Sequence, residues 1–236
     1  MIDKELLKNG AAALEITLNE KQLEQFDKYA ELLVYWNERI NLTAITDPEG
    51  IVKKHFIDSL ALLKYCDIKA GAKIIDVGTG AGFPGLAIKI ARPDIDITLL
   101  DSTQKKLNVI EDILKNIDLD ANILHARAEE AGLDPAFREQ YDFATARAVS
   151  NLRDLTEYCL PFVTIGGSFI SMKGADAKQE LDCAEHAIAI LGGKVIKFDE
   201  YELDGCGERA IINISKVSKT PDKYPRPKGK IQKQPL

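Results

Sequence analysis

The chain has 236 residues, 45% of them hydrophobic, enough to bury one α/β core without staples, so a single main domain is expected. The acidic start Met1-Ile-Asp-Lys-Glu has no signal-peptide core and no apolar run reaches bilayer length, so membrane insertion is not expected and the cytoplasm is the expected location. Four scattered cysteines, Cys66, Cys159, Cys183 and Cys206, show no C-x-x-C spacing, which indicates neither a zinc site nor a disulfide framework and suits a reducing compartment.

The net charge of −6 argues against a polyanionic partner over the whole surface, but the charge is uneven. From Lys216 onward seven basic residues face Asp222 alone, so this end carries about +6 and the rest about −12. An acidic body with a basic end suits local nucleic-acid contact.

Residues 1–66 read as a helical extension. Asn19 suits an N-cap, and Leu23, Phe26, Ala30, Leu33 and Val34 follow at helical spacing, predicting a helix packed on the main sheet. Asp47 is placed to cap a helix whose first residue is Pro48. His55 and Asp58, three residues apart, share a helix face with Lys53 and Lys54 nearby; His55 reads equally as a surface residue or a functional one.

Residues 67–218 read as the core. Lys73-Ile-Ile-Asp-Val-Gly-Thr-Gly-Ala-Gly-Phe-Pro-Gly85 is a buried-strand pattern running into a glycine loop that opens a helix. Gly78, Gly80 and Gly82 permit tight turning and close ligand approach, and Pro84 suits the first helical turn. Residues 80–85 also satisfy the dinucleotide pattern G-x-G-x-x-G, which alone is a weak signal. The frame Asp76-x-Gly78-x-Gly80-x-Gly82 decides between the two. It resembles the first motif of class I S-adenosylmethionine methyltransferases, in which the acid helps orient the amino-acid end of the cofactor, whereas a pyrophosphate would be repelled by it. The next strand, Ile95 to Ser102, ends in Asp101, placed to accept hydrogen bonds from ribose hydroxyls.

Beyond Asp101 the pattern alternates as in a doubly wound fold: a helix over 103–117, a strand over 121–125, a strand over 141–147, a helix over 152–162, a strand over 167–173 and a helix over 175–191. Arg127-Ala-Glu-Glu130 offers backbone amides and Glu129 to an adenine edge, or is an ordinary acidic helix start. Arg147 leaves its strand where a ligand would sit. Lys173, at the end of the fifth strand, meets either substrate phosphate or solvent. Two strand-like runs, 194–201 and 209–217, flank Asp204-Gly-Cys-Gly207 and predict a closing hairpin, unlike a dinucleotide dehydrogenase. Residues 219–236, with four prolines among the basic residues, read as an extended arm within a single overall domain.

Taken together, Asn41-Leu-Thr-Ala44, His55-Phe-Ile-Asp-Ser-Leu60, Asp76 to Gly85, Arg127-Ala-Glu129, Arg147-Ala-Val149 and Lys223-Tyr-Pro-Arg226 resemble the bacterial 16S ribosomal RNA guanine-N7 methyltransferases, also called the glucose-inhibited division protein B family. After Arg226 the chain departs from that family's usual basic-small-Gly-Thr-Pro continuation, with Pro227-Lys-Gly-Lys-Ile231 in its place. The resemblance implies a Rossmann-like seven-stranded α/β sheet, S-adenosyl-L-methionine as cofactor, and the small ribosomal subunit or its 16S RNA as partner; a monomer is expected. It implies cofactor contacts at Gly78, Phe83, Ala128, Glu129 and Arg147, to which the residue reading adds Asp76, Gly80, Gly82, Gly85, Asp101 and Ser102. It implies a substrate side built from Asn41, His55 and Arg226, joined by Asp58, Arg147 and Lys173. Guanine N7 carries a free lone pair at neutral pH, so aligning the reactants matters more than a general base. A small-molecule methyltransferase and, more remotely, a dinucleotide-binding oxidoreductase are the competing readings.

Overall fold

A computed structural model describes all 236 residues. In chain order the elements are α1 (Lys4–Ala13), α2 (Glu20–Asn37), α3 (Pro48–Gly50), a π-helical segment (Ile51–Ile57) and α4 (Asp58–Tyr65). There follow β1 (Lys73–Val77), α5 (Gly85–Ala91), β2 (Asp96–Asp101), α6 (Gln104–Asn116), β3 (Asn122–His125), α7 (Ala128–Ala131) and β4 (Tyr141–Arg147). The chain ends with α8 (Leu152–Cys159) and a 3₁₀ turn (Leu160–Phe162), β5 (Val163–Lys173), α9 (Ala177–Ile190), β6 (Gly193–Leu203), β7 (Gly207–Lys216) and α10 (Lys228–Lys233).

The seven strands form one sheet in the order β3-β2-β1-β4-β5-β7-β6. β1 to β5 run parallel, and β7 enters antiparallel between β5 and β6. The chain reverses its winding between β1 and β4, the point at which such sheets open a crevice beyond their carboxyl ends. Ile74, Ile75 and Val77 are buried because helices cover both faces of the sheet, which is why β1 reads as a continuous apolar run. One core layer joins the N-terminal helices to α5 and α6, and the other joins α8 and α9 to the C-terminal residues Tyr224 and Ile231.

Asn19 caps α2 through a box with Gln22, and Asp47 Oδ1 accepts the Gly50 N–H at 2.7 Å at the start of α3. α2 does not lie on the sheet itself. It packs over α5 and α6, which already cover that face, and its buried Gln22 and Gln25 donate to the end carbonyls Ile90 and Ile117 at 2.9 and 2.8 Å. His55 stands in the π-helical segment, not on a regular α-helix, and Asp58 opens the α4 that continues it. The predicted hairpin is present as β6 and β7.

The extended arm is not. Residues after Lys216 fold back onto the body: Arg138 donates to the carbonyls of Thr220 and Tyr224 at 2.7 and 2.8 Å, and Tyr224 and Ile231 are buried. Of the seven basic residues in this end, Lys216 is fully buried and bonded to Leu160 O and Thr220 Oγ1, each at 2.7 Å. Arg226 is paired with Glu157, which leaves Lys219, Lys223, Lys228, Lys230 and Lys233 exposed. Long-range burial overrode the local impression that proline and charge make.

Candidate functional site

Two adjoining clefts open at the carboxyl ends of the parallel strands. The first, about 480 Å³, lies across β1, β2, β3 and β4 and is lined by Gly78, Gly80, Phe83, Asp101, Ser102, Ala128, Glu129 and Arg147. The second, about 650 Å³, lies beside it against β5 and β7 and is lined by Lys54, Asp58, Lys173 and Arg209. His55, Arg147, Ala148, Val149 and Ser150 belong to both.

The glycine loop is shaped from behind. Asp76 is fully buried and lies outside the cleft; its Oδ2 accepts Thr79 Oγ1–H at 2.6 Å and Gly85 N–H at 2.9 Å, tying the two ends of the loop together. The acid before the glycines therefore acts on the loop, and Gly85, whose missing Cβ would sit 2.7 Å from Asp76 Oδ2, is there for the same packing. Burial pushes the Asp76 carboxyl up to about 6. Gly82, at φ +104°, also faces away from the cleft, because a Cβ there would meet the Tyr29 hydroxyl at 2.7 Å. Gly80, like Gly78, lines the ligand space. It has φ +62°, a Cβ on it would meet nothing closer than 3.9 Å, and its N–H donates to Asp101 Oδ2 at 2.9 Å. Asp101 Oδ1 accepts Thr103 N–H at 2.8 Å, so this carboxylate is held rigidly at the cleft wall.

His55 and Arg147 form the wall between the clefts. The His55 ring stacks on Phe83 with centroids 4.5 Å apart, and Arg147 lies over the same Phe83 ring at 5.0 Å. Arg147 Nη2 is 3.3 Å from His55 Nδ1, and His55 Nε2 is 2.8 Å from Thr43 Oγ1. An arginine nitrogen cannot accept, so Nδ1 carries the lone pair and Nε2 the proton. Burial, then the Arg147 charge, lowers the ring to about 4, so at neutral pH it is uncharged. Asp58, itself buried, accepts from Arg147 Nη1 at 2.7 Å and from Arg209 Nε at 2.9 Å.

Of the residues expected on the substrate side, two line neither cleft and a third lines the second with its charge already paired. Lys173 lines the second cleft, but its ammonium is already held by Glu180 and Ser150 O, each at 2.7 Å. Arg226 is held by Glu157 at 2.6 Å on Nη2 and 2.8 Å on Nε, with Nη1 donating to Gln234 O at 2.9 Å. Asn41 is exposed and lines neither cleft, although the next two residues, Leu42 and Thr43, line the first. Conversely, Tyr158 and Gln232 line the first cleft, and Arg209 the second, without being singled out in the sequence; Thr79 and Lys228, which also line the first, stand out there only as parts of the glycine motif and the basic end. Among Tyr158, Gln232 and Arg209, only the last had a local signal, its place at the start of the last strand. Ala148, at φ +56° directly after Arg147, is a backbone outlier of the kind that gathers at functional sites.

The seven-stranded sheet with an antiparallel β7, the braced glycine loop and the acid ending β2 define a class I S-adenosylmethionine-dependent methyltransferase. The residues present fit that cofactor: the cleft is of a size for a nucleoside ligand, Gly80 leaves backbone bare at its floor, and the buried Tyr158 hydroxyl has no protein partner. Solved structures share the fold. A Thermotoga maritima SAM-dependent O-methyltransferase superposes with TM-score 0.53 at 15% identity, over 79% of this chain and 72% of that one. A Geobacter metallireducens precorrin-6y C5,15-methyltransferase gives 0.53 at 15%, over 73% and 90%.

The family model described as rRNA small subunit methyltransferase G matches residues 22–212, and the chain belongs to that family. It is 44% identical to the ribosomal RNA small subunit methyltransferase G of Clostridium novyi over 98% of this chain and 96% of that protein. The Leuconostoc citreum protein of the same name is 47% identical over 94% of each chain. No helix is long and apolar enough to cross a membrane.

Proposed function

We propose that this enzyme methylates N7 of one guanine in the 16S RNA of the small ribosomal subunit, acting in the cytoplasm as a monomer. The observation that carries the reading is the shared wall: a cofactor in the first cleft and a base in the second would meet across His55 and Arg147. Relatives that match nearly the whole chain are named for methylating small-subunit ribosomal RNA.

Bound S-adenosylmethionine supplies an electrophilic methyl group. In this reading Asp101 takes the ribose hydroxyls, Ala128 and Glu129 the adenine edge, and Gly78, Gly80 and Phe83 give close backbone and ring contact; what supports it is that all six line the first cleft. In the second cleft the neutral His55 and the Arg147–Asp58–Arg209 bridge position the acceptor, with Asn41 at the rim. No group there is poised to remove a proton from the base, which agrees with attack by a ring nitrogen whose lone pair is already free. Asp58, with its two oxygens taken by Arg147 and Arg209, offsets one of the two guanidinium charges that would otherwise oppose the positive charge the guanine acquires.

The product tests this. A 7-methylguanine is cut at its sugar by borohydride followed by aniline, so RNA from cells with the enzyme is expected to break at one guanine and RNA from deletion cells to stay whole there. A mark on N1, N2 or a ribose would overturn the assignment.

A further inference from the structure

The C-terminal residues do more than cover the core. Lys228 and Gln232, one turn apart on α10 and so on one helix face, both line the first cleft. They do so beside Ala128, Glu129 and Tyr158, and the chain leading to them runs close to α7: a Cβ on Gly132 would meet Pro225 at 3.1 Å. α10 packs on α8, which also packs on α7, so it walls the first cleft on that side and takes no part in the second.

What holds α10 there is specific. Glu157 on α8 is 1% exposed, a position where an unpaired carboxylate would be costly, and Arg226 supplies its backbone N–H and two guanidinium nitrogens, all at 2.6–2.8 Å. The next residue on α8 is Tyr158, whose buried hydroxyl has no protein partner and lines the cleft. One helix thus carries both the anchor for the C-terminal segment and an open polar group of the cleft.

We propose that Lys228 and Gln232 bind the nucleoside half of the cofactor, and that the Glu157–Arg226 pair positions them. Gln232 offers a donor and an acceptor, which matches the mixed donor and acceptor edge of adenine; Lys228 offers donors to a ring nitrogen or a ribose oxygen. The inference rests on S-adenosylmethionine as the ligand of this cleft and does not depend on which nucleic acid is methylated.

Calorimetry on the full-length protein without RNA tests it, using S-adenosylmethionine, S-adenosylhomocysteine and 5′-methylthioadenosine, which lacks the amino-acid end. Lys228→Ala and Gln232→Ala, both at exposed positions, are expected to weaken all three ligands alike by about three- to tenfold, the scale of one lost hydrogen bond. Glu157→Gln and Arg226→Ala are expected to weaken them too, with Arg226→Lys recovering part of the affinity. Unchanged affinities in both α10 variants would overturn the proposal, as would a loss confined to the two ligands that carry the amino-acid end. Should the Arg226 variants melt early, the two α10 variants decide alone. An enzyme that binds cofactor as expected yet leaves RNA unmodified would refute the substrate assignment and not this one.

Discussion

A guanidinium nitrogen of Arg147 stands 3.3 Å from His55 Nδ1, so protonating the ring would bring two cations into contact. The surroundings of His55 therefore keep the ring uncharged.

The first prediction is a pair of opposed pH slopes. His55 titrates at about 4 in the fold against 6.5 when free, so the unfolded chain binds more protons in that window; its contribution is present above 6.5 and lost as pH falls through 4. Asp76 is pushed the other way, to about 6 from 3.8, so its contribution is present below 3.8 and lost as pH rises through 6. Between pH 4 and 6 the two offset each other. In urea titrations His55→Asn should show stability falling with pH and Asp76→Asn stability rising, each by up to about 1.4 kcal/mol per pH unit. Equal slopes in both variants would show that these two groups do not govern the window.

A second prediction follows for catalysis. His55→Ala should lower methyl transfer without removing any pH step near 6.5, the ordinary histidine value, because the folded ring does not titrate there. A wild-type rate profile with such a step, absent from the variant, would make the ring a proton carrier.

Asp58→Asn should be costly in a different way. It leaves Arg147 and Arg209 facing a neutral amide, and Arg147 is only 13% exposed. The expected loss in unfolding free energy is about 3 kcal/mol, the lower end for breaking a buried pair, since Arg209 keeps one edge toward water. A loss below about 1 kcal/mol would mean that the two arginines find other partners.

Much of this was readable in the chain and some was not. The strands, the glycine loop, the closing hairpin and both caps of the N-terminal helices are local: alternation, glycine placement and capping spacing specify them within about ten residues. Asp76 was legible as important, but its partners, Thr79 and Gly85, show that it braces the loop. The Arg226–Glu157 pair spans 69 residues and the Asp58–Arg209 contact 151, and no spacing rule reaches that far. The tail read as an arm because proline and lysine dominate it; the few residues that dock it, Tyr224, Arg226 and Ile231, are a minority of its composition.

Gly80→Val tests the loop itself. The side chain would enter open ligand space at φ +62°, costing about 1–2 kcal/mol of backbone strain and filling the cleft floor. Calorimetric binding of S-adenosylmethionine should be abolished while the circular dichroism spectrum stays near wild type; unchanged affinity would place the cofactor elsewhere.

The exposed lysines make the RNA reading measurable. Replacing Lys219, Lys223, Lys230 and Lys233 by glutamine spares the cleft-lining Lys228. It should flatten the salt dependence of RNA binding by about one log–log unit for each phosphate left without its lysine, with cofactor affinity unchanged. An identical slope would show that these lysines are only solvated.

The insertion of β7 between β5 and β6 bears on how the molecule is made. Lys173 and Ala210 are neighbours in the sheet, and Lys216 pairs with Gly193, so β5 keeps an open edge and β6 has no partner until the chain has reached residue 216. During synthesis the growing polypeptide therefore presents an unpaired strand edge almost to its last residues, the kind of surface on which nascent chains pair wrongly with one another. A gene fragment ending earlier than residue 216 would not yield a smaller working enzyme but an incomplete sheet, and its expected fate in a cell is aggregation or proteolysis.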